Sequence, residues 1–445
     1  MKLKYLLLFL FCSVGAYARQ VQEKMDKVMA HYADNGAFNG TVLVAQHGAV
    51  IYKKAYGFRN AEKKVPHEAD DIYQIGSITK SMTAAVIMQL EEEKKLSVHD
   101  KLGKYFPTIA NAQKITIEHL LTHTSGLYNF TNDTAVMGRD VTRHYSAKEM
   151  LALFAGYTPD FEPGARWNYS NTAYSLLGYI IEKVEKKPYE QVVRERIFKP
   201  LRMTDSGFDF AGLKSERKSK GYFALSKGNG LPAPIVDSTI GYAAGAVYAT
   251  AEDLLKWERG IAAGKLLKPA SWKKVFTPKQ KNYGYGWAID SLFGREFHAH
   301  SGGIHGFASY LIRFPQDGLA VILLDNASST KLAAIANTLA AITLEQPYEL
   351  PGVKKEITLD TAVLKQYVGE YQLAPNFIIT VSLHGTQLKA QATGQPQFEL
   401  FAETTNKFFL KVVEASVEFV KDASGAVTEM ILYQNGASPR GKKIK

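Results

Sequence analysis

Gly76-Ser77-Ile78-Thr79-Lys80 begins a stretch, Ser77–Leu96, whose apolar residues recur at helical spacing. Gly76 permits a tight entry into that helix. Ser77 then falls at or beside the helix N-terminus, and Lys80, three residues on, shares its face. A serine hydroxyl is a weak nucleophile and needs a base. A lysine one turn away supplies one if its own pKa is lowered, and the helix end favours developing negative charge. By itself S-x-x-K is a common accident of helices, so its meaning depends on what surrounds it.

Upstream, Val21–Tyr32 has helical spacing, and Thr41–Gln46 and Val50–Tyr56 read as strands joined through His47-Gly48. Downstream, a helix-rich middle runs to about Val184, with Ile117–Leu121, Ala147–Phe154 and Thr172–Val184 as its landmarks. A second group of strands follows: Tyr283–Ile289, Glu296–Ser301, Phe307–Phe314 and Leu319–Leu324, the last pair turned by Gln316-Asp317-Gly318. A helix at about Ser329–Leu344 closes the unit. This order predicts one discontinuous α+β domain, a single antiparallel sheet flanked by helices with the helical region as its own layer.

Two further motifs carry chemistry. Tyr169-Ser170-Asn171 opens the helix Thr172–Val184. A tyrosine beside a lysine can serve as a phenolate base, and an asparagine can hold a substrate amide as donor and acceptor. Ser170 and Asn171 are equally good helix caps. His300-Ser301-Gly302-Gly303 stands at a strand edge, where a glycine pair lets a substrate backbone approach closely. The Gly303 N–H can pair with that of Ser77 as an oxyanion hole, and an ordinary glycine bulge is the plainer alternative.

Taken together in this order, S-x-x-K, Y-x-N and H-S-G resemble the penicillin-recognising serine hydrolases: class C β-lactamases, serine D,D-carboxypeptidases and family VIII esterases. His119–Leu127 (HLLTHTSGL), Phe161–Asn171 (FEPGARWNYSN), Leu176–Val184 (LLGYIIEKV), Gly241–Leu254 (GYAAGAVYATAEDL) and His300–Phe307 (HSGGIHGF) are similar to it as well, so the resemblance spans roughly Val21–Leu344. It implies a β-lactamase/transpeptidase-like fold, Ser77 as the acyl-forming nucleophile, and Lys80 and Tyr169 sharing acid/base work. It further implies that Asn171 positions the substrate amide and that Ser77 and Gly303 supply the oxyanion N–H groups. His300, Ser301 and Gly302 would border the substrate. No cofactor or metal is implied.

One departure matters. The third motif of β-lactamases carries lysine, and here it is His300, which is largely neutral at pH 7. A weaker grip on a substrate carboxylate favours peptidase, amidase or esterase chemistry. The expectation is a D,D-peptidase/D-aminopeptidase-like hydrolase of small peptides or amides, cell-wall peptides among them. A β-lactamase or carboxylesterase is the alternative within the family. A catalytically silent binding or sensor protein is the alternative outside enzymes.

The remaining sequence bounds these readings. Met1–Ala18 has Lys2 and Lys4, a short apolar run and an A-x-A site, and so reads as a secretory signal cleaved after Ala18. It predicts a secreted or periplasmic protein without stable membrane insertion once the signal is removed. Cys12, the single cysteine, lies in that segment, which leaves no thiol nucleophile beyond it. The net charge is +11, but the basic residues are scattered, the densest run being Lys214–Lys220. That pattern is a solvated surface rather than a nucleic-acid site. His298, His300 and His305 lack a further ligand at metal spacing, and His119 and His123 (H-L-L-T-H) do not form H-E-x-x-H, so both of the latter read as structural. Neither a G-x-S-x-G elbow nor a phosphate loop is present. Oligomeric state is open, a homo-oligomer included. By domain, 19–346 is the hydrolase and 347–358 a linker. Residues 359–445 carry a short helix candidate and strands from Phe377 to Gln434 at short spacing, which predicts a small antiparallel β-barrel. Tyr367-Val368-Gly369-Glu370-Tyr371 resembles the lipocalin-like domain that follows some of these hydrolases.

Overall fold

Leu319–Asp325 (LAVILLD) is buried at every residue, the mark of a strand covered on both faces. In the computed structural model, which describes residues 19–226, 229–346, 348, 356–411, 415–434 and 439–445, this strand lies inside a six-stranded antiparallel sheet. The order is Ala49–Tyr56, Gly40–Gln46, Leu319–Asp325, Phe307–Phe314, Arg295–Ile304, Ala288–Leu292. The register joins the two ends of the domain, with Gly40 opposite Asp325. Side chains of the central strand alternate between two cores. Leu319, Val321 and Leu323 meet Met25, Val28 and Met29 of the helix 19–34 and Ile335 and Leu339 of Leu332–Thr343. Ile322 and Leu324 face the helical layer, where Thr79–Glu92 is buried on nearly every side. The chain divides into two compact units, Met1–Tyr348 and Glu349–Lys445. Residues 1–18, the expected signal, lie outside the described residues, as do 347 and 349–355 of the expected linker.

The single sheet and the separate helical layer are as the sequence predicts, and the turns explain the boundaries. His47 and Gly48 both adopt left-handed φ (48° and 77°), the geometry of a two-residue hairpin whose twist matches its strands. Two boundaries differ from expectation. The nucleophile segment starts as a 3₁₀ turn, Gly76–Ile78, and the α-helix begins only at Thr79 and ends at Glu92. The strand expected from Tyr283 begins at Ala288. Gly286 takes φ +75°, and a Cβ there would stand 2.8 Å from the Lys80 carbonyl oxygen, so the chain turns where it lies against the nucleophile helix.

The second unit is a closed antiparallel barrel of eight strands. Six were legible from hydrophobic alternation. The other two, Gly369–Ala374 and Arg440–Lys443, close the seam by pairing Tyr371 with Lys443 and Gln372 with Lys442. Tyr371, Val381, Leu388, Leu400, Phe408, Val417, Phe419 and Met430 fill the interior with side chains.

The strand Arg295–Ile304 passes so near Ile75 that a Cβ at Gly302 would drive into the Ile75 carbonyl oxygen and Ser309 Oγ, whereas one at Gly303 would meet nothing within 4 Å. Gly302→Ala should therefore cost about 1–3 kcal/mol of stability. Gly303→Ala should stay within about 0.5 kcal/mol of the parent. Urea unfolding of the two variants checks the contrast.

Candidate active site

Lys80 is fully buried, an expensive place for an ammonium group. Burial holds its pKa well below the ordinary lysine value. Its Nζ lies 2.7 Å from Asn171 Oδ1, 2.7 Å from the Ala244 carbonyl oxygen and 2.9 Å from Ser77 Oγ. Two of these partners can only accept. As an ammonium Lys80 donates to all three; once it gives up a proton it keeps its N–H bonds to Asn171 and Ala244, and its lone pair faces the Ser77 hydroxyl. That is the arrangement a general base needs.

The acceptor at Ala244 is made by a break in the chain. Ser238–Gly245 is helical except at Tyr242, whose φ 36°, ψ −132° interrupts it. A non-glycine residue in such a conformation costs on the order of 1–3 kcal/mol. The interruption turns the Ala243 carbonyl to Thr83 Oγ1 (2.7 Å) and the Ala244 carbonyl to Lys80. Val247 N–H donates to Thr79 Oγ1 in the same seam.

Asn171 opens the helix Asn171–Glu185, capped by Ser170 Oγ. Its amide is committed on both sides, accepting from Lys80 and donating through Nδ2 to Thr131 Oγ1 at 2.9 Å. Tyr169 sits beside this helix start with its ring 4.8 Å from Lys80 Nζ. Burial raises its phenol above the ordinary value, with the Ser77 side chain pulling the other way. Burial therefore favours phenol over the phenolate expected from a neighbouring lysine.

His300, Ser301 and Gly303 border the cleft, and Gly302 is buried against Ile75 instead. A Cβ at Gly76 would lie 2.7 Å from the Gly303 nitrogen, so the two backbones that flank the nucleophile are in contact. His300 uses both ring nitrogens. Nδ1 lies 2.6 Å from the Ser301 carbonyl, which can only accept, so it carries the proton, and Nε2 takes the Tyr283 hydroxyl at 2.8 Å. Burial and the nearby Lys80 push its pKa down to about 3. It presents no positive charge. These residues line two clefts. One, of about 410 Å³, is lined by Ser77, Asn171 and Gly303. The other, of about 920 Å³, is lined by Tyr169, His300 and Ser301.

His123, read from the sequence as structural, belongs to the site. It is fully buried, in a left-handed conformation (φ 58°), with its Nδ1 accepting from the Ser170 N–H at 3.1 Å. Its ring lies 4.3 Å from that of Tyr169 and 4.9 Å from that of Tyr283. Desolvation, with Lys80 and His300 adding to it, holds it neutral. It lies in H-L-L-T-H-T-S-G-L, yet no spacing rule ties that stretch to Tyr169. Tyr283 and Thr131 were missed as well, and they lie in segments without a motif. Among the described residues, no group of three or more His, Cys, Asp or Glu side chains is placed to hold a metal ion. No helix among them is long and apolar enough to cross a membrane.

Residues 21–345 match the family described as Beta-lactamase, and residues 353–444 match a domain of unknown function (DUF3471). Penicillin-binding protein 4* of Bacillus subtilis (strain 168) is 29% identical over 439 residues, covering 92% of this chain and 95% of that protein. Among solved structures, the octameric penicillin-binding protein homologue from Pyrococcus abyssi aligns with TM-score 0.70 at 26% identity over 94% of this chain and 99% of that one. The D-stereospecific amidohydrolase from Streptomyces sp. aligns with TM-score 0.65 at 28% identity over 73% and 99%.

Two outcomes are expected. Activity should need neutral Lys80, so kcat/KM should fall as acid protonates it and should show no further rise through about pH 10.4, where a free lysine titrates. Lys80→Arg, always charged, should be inactive, and a pH–rate profile checks both. His123→Ala should cost about 1–3 kcal/mol by orphaning the Ser170 N–H. It should also lower kcat more than it changes KM, as read from melting curves and steady-state kinetics.

Proposed function

The chain belongs to the beta-lactamase family and is a serine hydrolase of it; on that premise we propose that it cleaves small peptides or amides through a Ser77 acyl-enzyme, in the manner of D,D-peptidases. The observation that carries this is the buried Lys80 Nζ 2.9 Å from Ser77 Oγ, with its pKa pushed down by burial and its other two partners, Asn171 Oδ1 and the Ala244 carbonyl, able only to accept. Lys80 takes the Ser77 proton as Oγ attacks the substrate carbonyl. The oxyanion that forms is held by the N–H groups of Ser77 and Gly303. Tyr169, kept as a phenol, gives its proton to the leaving nitrogen and is restored from Lys80. Water then repeats the attack in reverse and frees Ser77. Asn171 meets a substrate amide by exchanging its bond to Thr131.

A neutral His300 supports peptidase or amidase chemistry over a dedicated β-lactamase, since no fixed cation awaits a substrate carboxylate. The D-stereospecific amidohydrolase and the penicillin-binding protein relatives support the same class. The leader Met1–Ala18 supports export, and cell-wall-type D-amino-acid termini are then natural substrates. The octameric relative supports self-association.

Intact mass spectrometry during incubation with benzylpenicillin tests the reading. An adduct mapping to Ser77 and absent from Ser77→Ala is expected. A long-lived adduct marks a peptidase-like enzyme, and a fleeting one with loss of penicillin marks a β-lactamase. Neither adduct nor penicillin loss points to an esterase or amidase with another pocket, or to a silent binding protein.

A further inference from the structure

The two clefts divide the substrate between them. With the leaving group turned toward Tyr169, its proposed proton donor, the group on the acyl carbon falls to the cleft that Ser77 lines. The leaving group lies toward Tyr169, which lines the other. The walls of the first are Phe130, Met137, Val236, Ile240 and Ile304, with Thr131 and Asn171 as its polar side chains beside Ser77. Thr131 and Asn171 are already bonded to each other. Lys80 Nζ, itself a basic nitrogen, lies 2.9 Å from Ser77 Oγ.

No acidic residue is among those lining residues. Two acids close in sequence to the lining, Asp237 and Asp133, are engaged elsewhere. Asp237, next to Val236, accepts from Thr239 N–H at 2.9 Å and Thr239 Oγ1 at 2.6 Å, and caps that helix. Asp133 accepts from the Tyr157 hydroxyl at 2.8 Å and the Ala135 N–H at 2.9 Å. An ammonium group entering this cleft would lose water and gain no countercharge. An uncharged apolar group would gain by covering the five walls.

We infer that the acyl half of the substrate is uncharged and apolar, and that substrates with a free ammonium beside the scissile carbonyl are rejected. This rests on the Ser77 hydrolase reading and narrows it away from aminopeptidase action.

Three methyl esters sharing one leaving group test it: D-phenylalanine methyl ester, its N-acetyl derivative, and methyl 3-phenylpropionate. The assay runs below the pKa of the free amine, so that the first carries its charge, with Ser77→Ala as the background. The two neutral esters should show kcat/KM at least about tenfold above the charged one. Equal or faster turnover of the charged ester overturns the inference and leaves the Ser77 reading standing. Turnover of none of the three in a Ser77-dependent way overturns both. Met137→Glu adds the missing carboxylate and should raise the charged ester relative to the N-acetyl ester. If that variant melts as the parent does and the ratio is unmoved, the inference is overturned. If it does not fold, the three-ester comparison in the parent decides alone.

Discussion

Keeping the Lys80 amine dry is the constraint on which the rest of the site depends. An ammonium group without water needs compensation, and at this position burial has shifted it toward the neutral form. The groups that hold it come from three parts of the chain: the start of the helix Asn171–Glu185, the broken helix Ser238–Gly245, and its own helix. Small residues make this approach feasible. Ala243, Ala244 and Gly245 bring backbone rather than side chains to the nucleophile helix, and Gly286 closes over the Lys80 carbonyl. The chemistry of one side chain thus explains a run of glycines and alanines that hydrophobicity alone does not.

The aromatic cluster behind the cleft makes a second layer. His123, Trp167, Tyr169 and Tyr283 pack ring against ring. His300 meets Tyr283 edge-on, and burial holds both His123 and His300 neutral. Phenols and imidazoles here act as shaped, polarisable walls whose hydrogen bonds fix orientation. Tyr169 is aimed from behind by His123, which also ties down the backbone at Ser170. A rigid backing of this kind keeps a proton-transfer group in line with the bond it serves.

Much of this was legible in the sequence for a physical reason: helix spacing places Ser77 and Lys80 together regardless of the tertiary fold. The sheet was legible too, because its buried strands are continuous apolar runs such as Leu319–Leu324. What escaped depends on approach through space. His123 is four residues from His119 on paper, but its left-handed backbone turns the chain toward Tyr169. Tyr169 looked like a phenolate when only its lysine was considered, and burial acts on both partners. The Ala244 carbonyl has no sequence signature, since any residue supplies one. Arg440–Lys443 (RGKK) has no apolar alternation, and it becomes a strand because the seam between Gly369–Ala374 and Val427–Gln434 needs backbone partners.

The pairing of Gly40–Gln46 with Leu319–Asp325 bears on how the enzyme is made. On a ribosome, the first strand emerges long before its central partner, and the helical layer is translated between them. Ser77 and Lys80 therefore leave the exit tunnel well ahead of Gly303, the backbone that completes their cleft. During that interval the early strands have open edges and the nucleophile helix lacks its sheet. Non-local closure of this kind slows folding and exposes apolar surface. A nucleophile assembled only at the end of synthesis stays inactive until most of its domain exists.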